Sequence, residues 1–340
     1  MLTSVVIPSA MRCSRPYEKI FKNAFSACAA FVLGILAAVG VAREAAAEPE
    51  SVAVGFYLNR IAAVSHKEGT FDIDAWFWFR WKTGNIDPTQ TFEIVNGNIT
   101  SKSPTEILDD GVFKYASIRV QATLFQKFDV SRYPLDNHNL SIILEDSTNQ
   151  SALLLLTPDE GSLIDPQVSL EEWRVSYVGV KSVEHTYPTT YGFRSLGEAS
   201  SKFSRLIFQV QLTREHGFLS VMKLFWVSFL ALLLAIGACF VRSNDLDARF
   251  GLGLGAIFAA SANTLAVSGN LPDTPSLTLA EQINMLTVLL IFITIFVSII
   301  SLRLRYAGRE SGAERLDFAC AGTLSVLYPF LLYLLYLLFW

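Results

Sequence analysis

Four apolar stretches fill the C-terminal third of this chain, and the second of them is poorly suited to face lipid. Residues Arg249 to Pro272 read RFGLGLGAIFAASANTLAVSGNLP. The stretch is long enough to cross a membrane, since roughly 20 helical residues rising about 1.5 Å each span a ~30 Å hydrocarbon core. Its neighbours are dense in Leu, Ile, Phe and Val, whereas this one carries Gly251, Gly253, Gly255, Ser261, Asn263, Thr264, Ser268 and Gly269. Each glycine costs a helix about 1 kcal/mol relative to alanine, and polar side chains in lipid need partners. The stretch therefore belongs inside an assembly.

Two kinds of interior fit. Gly251 and Gly255 have the Gly-x-x-x-Gly spacing that lets helices pack closely in a dry interface. Helical steps from Gly251 also trace a stripe through Gly255, Phe258, Ala262, Leu265 or Ala266, and Gly269, mostly small with one bulky ring. That stripe could line a water-filled path, but a single helix encloses nothing, so a pore requires several copies about an axis.

At 340 residues and 51% hydrophobic, the chain has room for two domains, with its apolar content concentrated towards the C-terminus. A formal charge of -4 is too small to imply a nucleic-acid partner. Cys13 and Cys28 lie near the start and Cys239 and Cys320 in apolar stretches, so no disulfide framework can exist between Glu48 and His216. Residues 1–47 read as a secretory signal: Arg12, Arg15, Lys19 and Lys22 precede an apolar run from Ala24 to Ala42, and Ala45-Ala46-Ala47 offers a cleavage site. An uncleaved anchor helix is the alternative. Either way, the segment after Glu48 is expected outside the cytoplasm.

Residues 48–215 carry a β pattern. Val52 to Val64 is rich in strand formers, and Phe71 to Trp81 alternates with period two, with His66-Lys67-Glu68-Gly69 as the turn between them. Further strands fit Gly111 to Phe128, Asn139 to Glu145, Glu172 to Val183 and Ser204 to Thr213, separated by turn clusters such as Thr83-Gly84-Asn85. Many short strands without an intervening helical run predict one antiparallel, immunoglobulin-like all-β sandwich. An enzyme is not indicated. The histidines His66, His138, His185 and His216 are scattered, no cysteine completes a zinc set, and there is no Gly-x-Ser-x-Gly elbow. Neither a metal nor an organic cofactor is expected.

The segment Gln126 to Leu140, QKFDVSRYPLDNHNL, contains Tyr133-Pro134-Leu135-Asp136, a bend ahead of a strand. The order Asp-Val-x-x-aromatic-Pro-x-Asp resembles the signature loop of the pentameric ligand-gated ion channels, the Cys-loop receptor family. In animal members cysteines bracket this loop. Here those places fall at Gln126 and Leu140, so the resemblance is to the prokaryotic branch that lacks the disulfide. Trp76 and Trp81 resemble the family's binding-face aromatic and its structural tryptophan, Phe92 to Asn96 its first binding loop, Glu172-Trp173 a recurrent strand start, and Arg214 the arginine at its domain junction.

The resemblance implies a homopentamer whose small-molecule or proton ligand binds between subunits. It places candidate ligand contacts at Trp76 on one face and at Glu93, Thr148, Tyr187, Tyr191 and Phe193 on the other. An aromatic cage attracts a cationic amine by ~0.5–2 kcal/mol, although aromatics in a sandwich also serve as core. Four membrane helices are expected over residues 218–241, 250–268, 283–302 and 316–340, within a transmembrane domain of 216–340 surrounded by lipid. Arg242, Arg249, Arg303, Arg305, Arg309 and Arg315 put the first and third connections on the cytoplasmic side, and the sandwich on the far side of a bacterial inner membrane.

By the same resemblance, Lys67, Glu68, Tyr133, Pro134, Asp136, Arg214 and Pro272 form a coupling zone in which Arg214 pairs with Asp136. The pore lining is Gly251, Gly255, Phe258, Ala262, Leu265, Ala266 and Gly269. At the inner mouth, Asp245 and Asp247 would favour cations, while Ala248-Arg249 resembles the corresponding pair of anion-selective members. The competing expectation is a membrane-anchored periplasmic sensor or binding module of the same fold that conducts nothing.

Overall fold

A computed structural model of the chain describes residues 48–82, 86–192, 200–242 and 245–339. The expected signal segment 1–47, the turn at 83–85 and Phe193 lie outside the described residues. After Glu48 the chain forms strands β1 (Glu50–Ser65) and β2 (Thr70–Lys82), a short helix α1 (Pro88–Thr91), and strands β3 (Phe92–Ile94), β4 (Gly97–Lys102), β5 (Ile107–Asp109) and β6 (Phe113–Phe125). Next come β7 (Asn137–Asp146), β8 (Leu154–Pro158), β9 (Leu163–Ile164), β10 (Trp173–Tyr187) and β11 (Ser201–Arg214). Four long helices complete it: α2 (Gly217–Ala238), α3 (Leu246–Ser268), α4 (Leu279–Tyr306) and α5 (Glu310–Phe339).

The strands make two sheets, one ordered β4-β6-β2-β1-β8, with β5 on β6 and β9 on β1, and the other β10-β11-β7-β3. Period two explains how they face each other. In β2, Phe71, Ile73, Ala75, Phe77, Phe79 and Trp81 point inward while the residues between them turn outward. Phe56 of β1 stacks on Phe208 of β11 with centroids 4.9 Å apart, joining the layers. Gly55 has no room for a side chain, because a Cβ there would lie 1.9 Å from the Trp78 ring. Trp81 is fully buried and Trp76 about one-third exposed. The all-β sandwich followed by four helices is present as expected.

Each helix is long and apolar enough to cross a membrane. Their ends depart from the apolar runs because caps, not hydrophobicity, set them. Asp245 caps α3 by accepting from the Ala248 amide, and Thr278 with Glu281 forms a capping box that starts α4 at Leu279. The α5 helix begins at Glu310, several residues ahead of its apolar run. Apolar packing runs on from the sandwich into the adjoining helix ends, through Phe225, Val267, Leu271, Leu279 and Ile283.

Helix α3 has two unlike faces. Arg249, Gly253, Ala256, Ala260 and Val267 are buried against the other helices, one stripe at helical spacing. Gly251, Gly255, Phe258, Ala262, Leu265, Ala266 and Gly269 are exposed on the other side. A Cβ on Gly253 would meet Ile295 Cγ1 at 2.9 Å, whereas Gly251 and Gly255 look onto open space. Gly253→Val should therefore destabilise the protein by ~1–3 kcal/mol through overpacking. By contrast, Gly255→Ala should be neutral or stabilising by up to about 1 kcal/mol. Thermal unfolding of the detergent-solubilised protein measures both.

Candidate functional site

The sandwich meets the helices at a junction built around Arg214, the last residue of β11. Chain geometry delivers its guanidinium there: β11 runs antiparallel to both β7 and β10, which places Arg214 beside Asn137 and Trp173. Its Nε donates to Asp136 Oδ1 at 3.1 Å and its Nη1 to Glu172 Oε2 at 2.9 Å. The guanidinium also lies 4.2 Å from the centroid of the Trp173 ring and 5.6 Å from that of Tyr133. Both members of the Arg214–Asp136 pair are buried, so either one alone would strand a charge away from water.

Asp136 follows the cis Tyr133-Pro134 bond in the loop between β6 and β7. Its second oxygen, Oδ2, accepts from His138 Nε2 at 2.6 Å, and His66 Nε2 stands 3.0 Å from that same nitrogen. Burial opposes the Asp136 charge, yet the His138 hydrogen bond and Arg214 outweigh it and hold the carboxyl below its usual range. Burial also pushes the His66 imidazole down to about 4. Two histidines that lie 72 positions apart in the sequence are thus neighbours in the fold.

The junction also touches the helix ends. Lys67 Nζ donates to the Gly269 carbonyl at 3.1 Å, a cation at the C-terminal end of α3, where exposed carbonyls concentrate negative charge. The Leu279 amide, at the start of α4, donates to Ser131 O at 2.9 Å. Gly217 opens α2 directly against Leu135. Of the expected coupling residues, Lys67, Tyr133, Asp136 and Arg214 therefore meet here, while Glu68 is exposed and makes no ion pair among the described residues. Pro272 lies in the α3–α4 connection, just after the buried Leu271.

The loop's bracket is non-covalent. Gln126 Nε2 donates to Asn139 O at 2.8 Å, and its Oε1 accepts from the Ser141 amide at 3.0 Å, closing the segment beside Leu140.

A second cluster sits near the β10–β11 hairpin end. Strand register sets Glu145 of β7 opposite both Glu93 of β3 and Arg205 of β11. Arg205 Nη2 donates to Glu145 Oε2 at 3.1 Å and to the Tyr187 hydroxyl at 2.9 Å, and that hydroxyl donates to Glu145 Oε2 at 2.8 Å. Burial, then the Glu145 carboxylate, pushes the Tyr187 hydroxyl up to about 12, so it remains a neutral donor. Burial, then Glu145 and Asp146, raises the Glu93 carboxyl. Tyr191 packs edge-on to Tyr187 with centroids 5.7 Å apart, and the Thr148 amide donates to Asp146 Oδ1 at 2.9 Å.

The structure therefore gathers Glu93, Thr148, Tyr187 and Tyr191 around Glu145, Asp146 and Arg205, three residues that the sequence does not single out. Among the described residues, Glu145 Oε1 and Arg205 Nε are buried without a hydrogen-bond partner, leaving two polar atoms to meet a ligand or a water. Trp76 lies on the other sheet, opposite Arg119, which is paired with Asp74 through Nε at 2.8 Å and Nη2 at 2.7 Å.

At the opposite end of the helices, Arg249 does not stand at the inner mouth beside Asp245 and Asp247. It turns into the bundle, where Nη1 donates to Asp317 Oδ2 at 3.0 Å and Nε to Ser298 Oγ at 3.1 Å. The cause is helical phase: Arg249 shares the buried stripe with Gly253 and Ala256, while Asp247 is exposed.

Because the Arg214–Asp136 pair is buried, Asp136→Asn and Arg214→Gln should each destabilise the protein by about 3 kcal/mol. The double variant should lose clearly less than the sum of the two, which a thermal-unfolding double-mutant cycle measures. Additive losses would remove the pair as the organiser of this junction.

No family model matches the chain. Among curated proteins, it is 23% identical over 282 residues to a proton-gated ion channel of Gloeobacter violaceus, a match covering 76% of this chain and 74% of that protein. It is also 24% identical over 200 residues to pH-sensitive chloride channel 2 of Drosophila melanogaster, covering 58% of this chain and 37% of that one. A match of 282 residues is too long to lie within the sandwich alone or the helices alone. Taken with the proline loop and the helices that follow the sandwich, the likeness is to the pentameric ligand-gated ion channel family, and both matches support it.

Proposed function

We propose that the protein is a subunit of a homopentameric ligand-gated ion channel in a bacterial inner membrane. In this reading residues 1–47 direct export and the 48–215 sandwich lies in the periplasm. The observation that carries the proposal is the division of α3 into one face packed on its own bundle and another, small and partly polar, that the bundle leaves uncovered. Lipid is a poor partner for that face, and a ring of identical copies around water is a good one. The likeness to two ion channels favours the wet axis over a dry seam.

Ligand binds between subunits, with Glu93, Thr148, Tyr187, Tyr191 and Phe193 on one side and Trp76 of the neighbouring copy on the other. The acids Glu93, Glu145 and Asp146 outnumber Arg205, so the site suits a cation, either a small amine held against the tyrosines or a proton. Its occupancy biases a two-state junction in which Asp136, Arg214 and Lys67 connect strand ends to Gly269 and so to the pore helix. Phe258 forms the narrow apolar ring of the path and gates it by excluding water. With Arg249 held by Asp317, Asp245 and Asp247 outnumber the exposed Arg242 at the inner end of this connection, which favours cations.

Cysteine substitution tests the reading in a background freed of Cys239 and Cys320. Gly255→Cys, Phe258→Cys and Ala262→Cys should react with a water-borne thiol reagent and lose ligand- or acid-evoked current in planar bilayers. Ala256→Cys and Ala260→Cys, on the packed face, should be protected. A sensor that conducts nothing would show no current under any condition, and failure of all three exposed positions to react would exclude the pore.

A further inference from the structure

Folding brings His66, in the β1–β2 turn, against Asp136 and His138 at the exit of the proline loop. The three ligating atoms lie 3.0 Å (His66 Nε2 to His138 Nε2), 2.6 Å (His138 Nε2 to Asp136 Oδ2) and 3.5 Å (His66 Nε2 to Asp136 Oδ2) apart. Ligands held ~2.0–2.2 Å from a zinc-class ion stand roughly 3–3.5 Å from one another in tetrahedral geometry. Two edges of the triangle match that spacing, and the third, now a 2.6 Å hydrogen bond between His138 and Asp136, would open by under about 1 Å to admit the ion. We propose that His66, Asp136 and His138 form a binding site for a divalent transition-metal ion of the zinc class, with water completing the coordination.

Three further observations support the site. Two imidazole nitrogens facing each other at this distance repel unless a cation or a single shared proton lies between them. Asp136 is already turned the right way, since Arg214 occupies Oδ1 and leaves Oδ2 directed at the histidines. The rings are held by apolar packing, with Phe128 5.2 Å from His66 and 5.0 Å from His138 between centroids, and Trp173 5.3 Å from His138.

Two imidazoles with one carboxylate suit zinc, nickel or copper over calcium or magnesium, which prefer all-oxygen sets. A recess of about 260 Å³, lined by Asp129, Ser131, Arg132, Leu135, Asp136 and Asn137, adjoins the carboxylate side of the site.

Such an ion would tie the β1–β2 turn to the proline loop. Each segment already contacts a helix end, through Lys67 on Gly269 and Ser131 on Leu279, so occupancy would stiffen the junction between them. Binding is independent of the channel reading; an effect of the metal on current rests on it.

The test uses the full-length, tag-free protein in detergent, stripped with chelator. Visible absorption on Co²⁺ titration and calorimetry with Zn²⁺ should show one ion per chain. His66→Ala and His138→Gln should each abolish this binding, while His185→Ala leaves it unchanged. Zn²⁺ should raise the thermal midpoint of the parent and not that of His66→Ala, which keeps the assay decisive if His138→Gln folds poorly. No saturable binding to the parent, or undiminished binding in both variants, overturns the site. Binding that persists in a protein passing no current sustains the site and overturns the channel reading instead.

Discussion

A guanidinium buried at the seam between a water-facing sheet and lipid-facing helices is the constraint around which this molecule is arranged. Strand β11 ends at Arg214 and α2 begins at Gly217, so the covalent link between the two halves carries the charge with it. Neutralising that charge draws together the proline loop, through Asp136, and the start of β10, through Glu172 and Trp173. With those segments fixed, Lys67 and Ser131 come to rest on the ends of α3 and α4. The seam is therefore specified by electrostatics where apolar packing alone would tolerate sliding.

Within the bundle, polar side chains play a related part in lipid. Asn263 donates to Ser228 Oγ at 2.9 Å and to Asn284 Oδ1 at 3.2 Å, joining α3 to α2 and α4. Nearer the other end, Arg249, Ser298 and Asp317 join α3 to α4 and α5. These contacts occupy the inward face of α3 and satisfy groups that hydrocarbon could not. The opposite face takes no part in these polar contacts, so its composition is free to answer to another requirement.

Much of this was legible in the chain. Alternation identified β2, the family resemblance marked Trp81 as structural, length and hydropathy identified the helices, and Tyr133 to Asp136 marked the loop beneath the sandwich. What remained hidden depends on register and phase. Glu145 and Arg205 are 60 positions apart and meet only because β7 and β11 pair in one register. His66 and His138 come together because the first turn folds back under the seventh strand. Arg249 was assigned to a mouth by the resemblance of Ala248-Arg249 to a pair in anion-selective members, but its direction is fixed by Asp317, which lies on a helix 68 positions away. Phe193 falls outside the described residues, so its expected place against Tyr187 and Tyr191 is not seen.

Gln126 closes the proline loop with one primary amide that reaches both the Asn139 carbonyl and the Ser141 amide. In animal members of the family the corresponding bracket is a pair of cysteines. Two hydrogen bonds need neither an oxidant nor an isomerase to form, and they part and re-form faster than any sulfur exchange. Closure of this loop is thereby independent of redox poise and becomes an equilibrium property of the fold in place of a covalent modification made once.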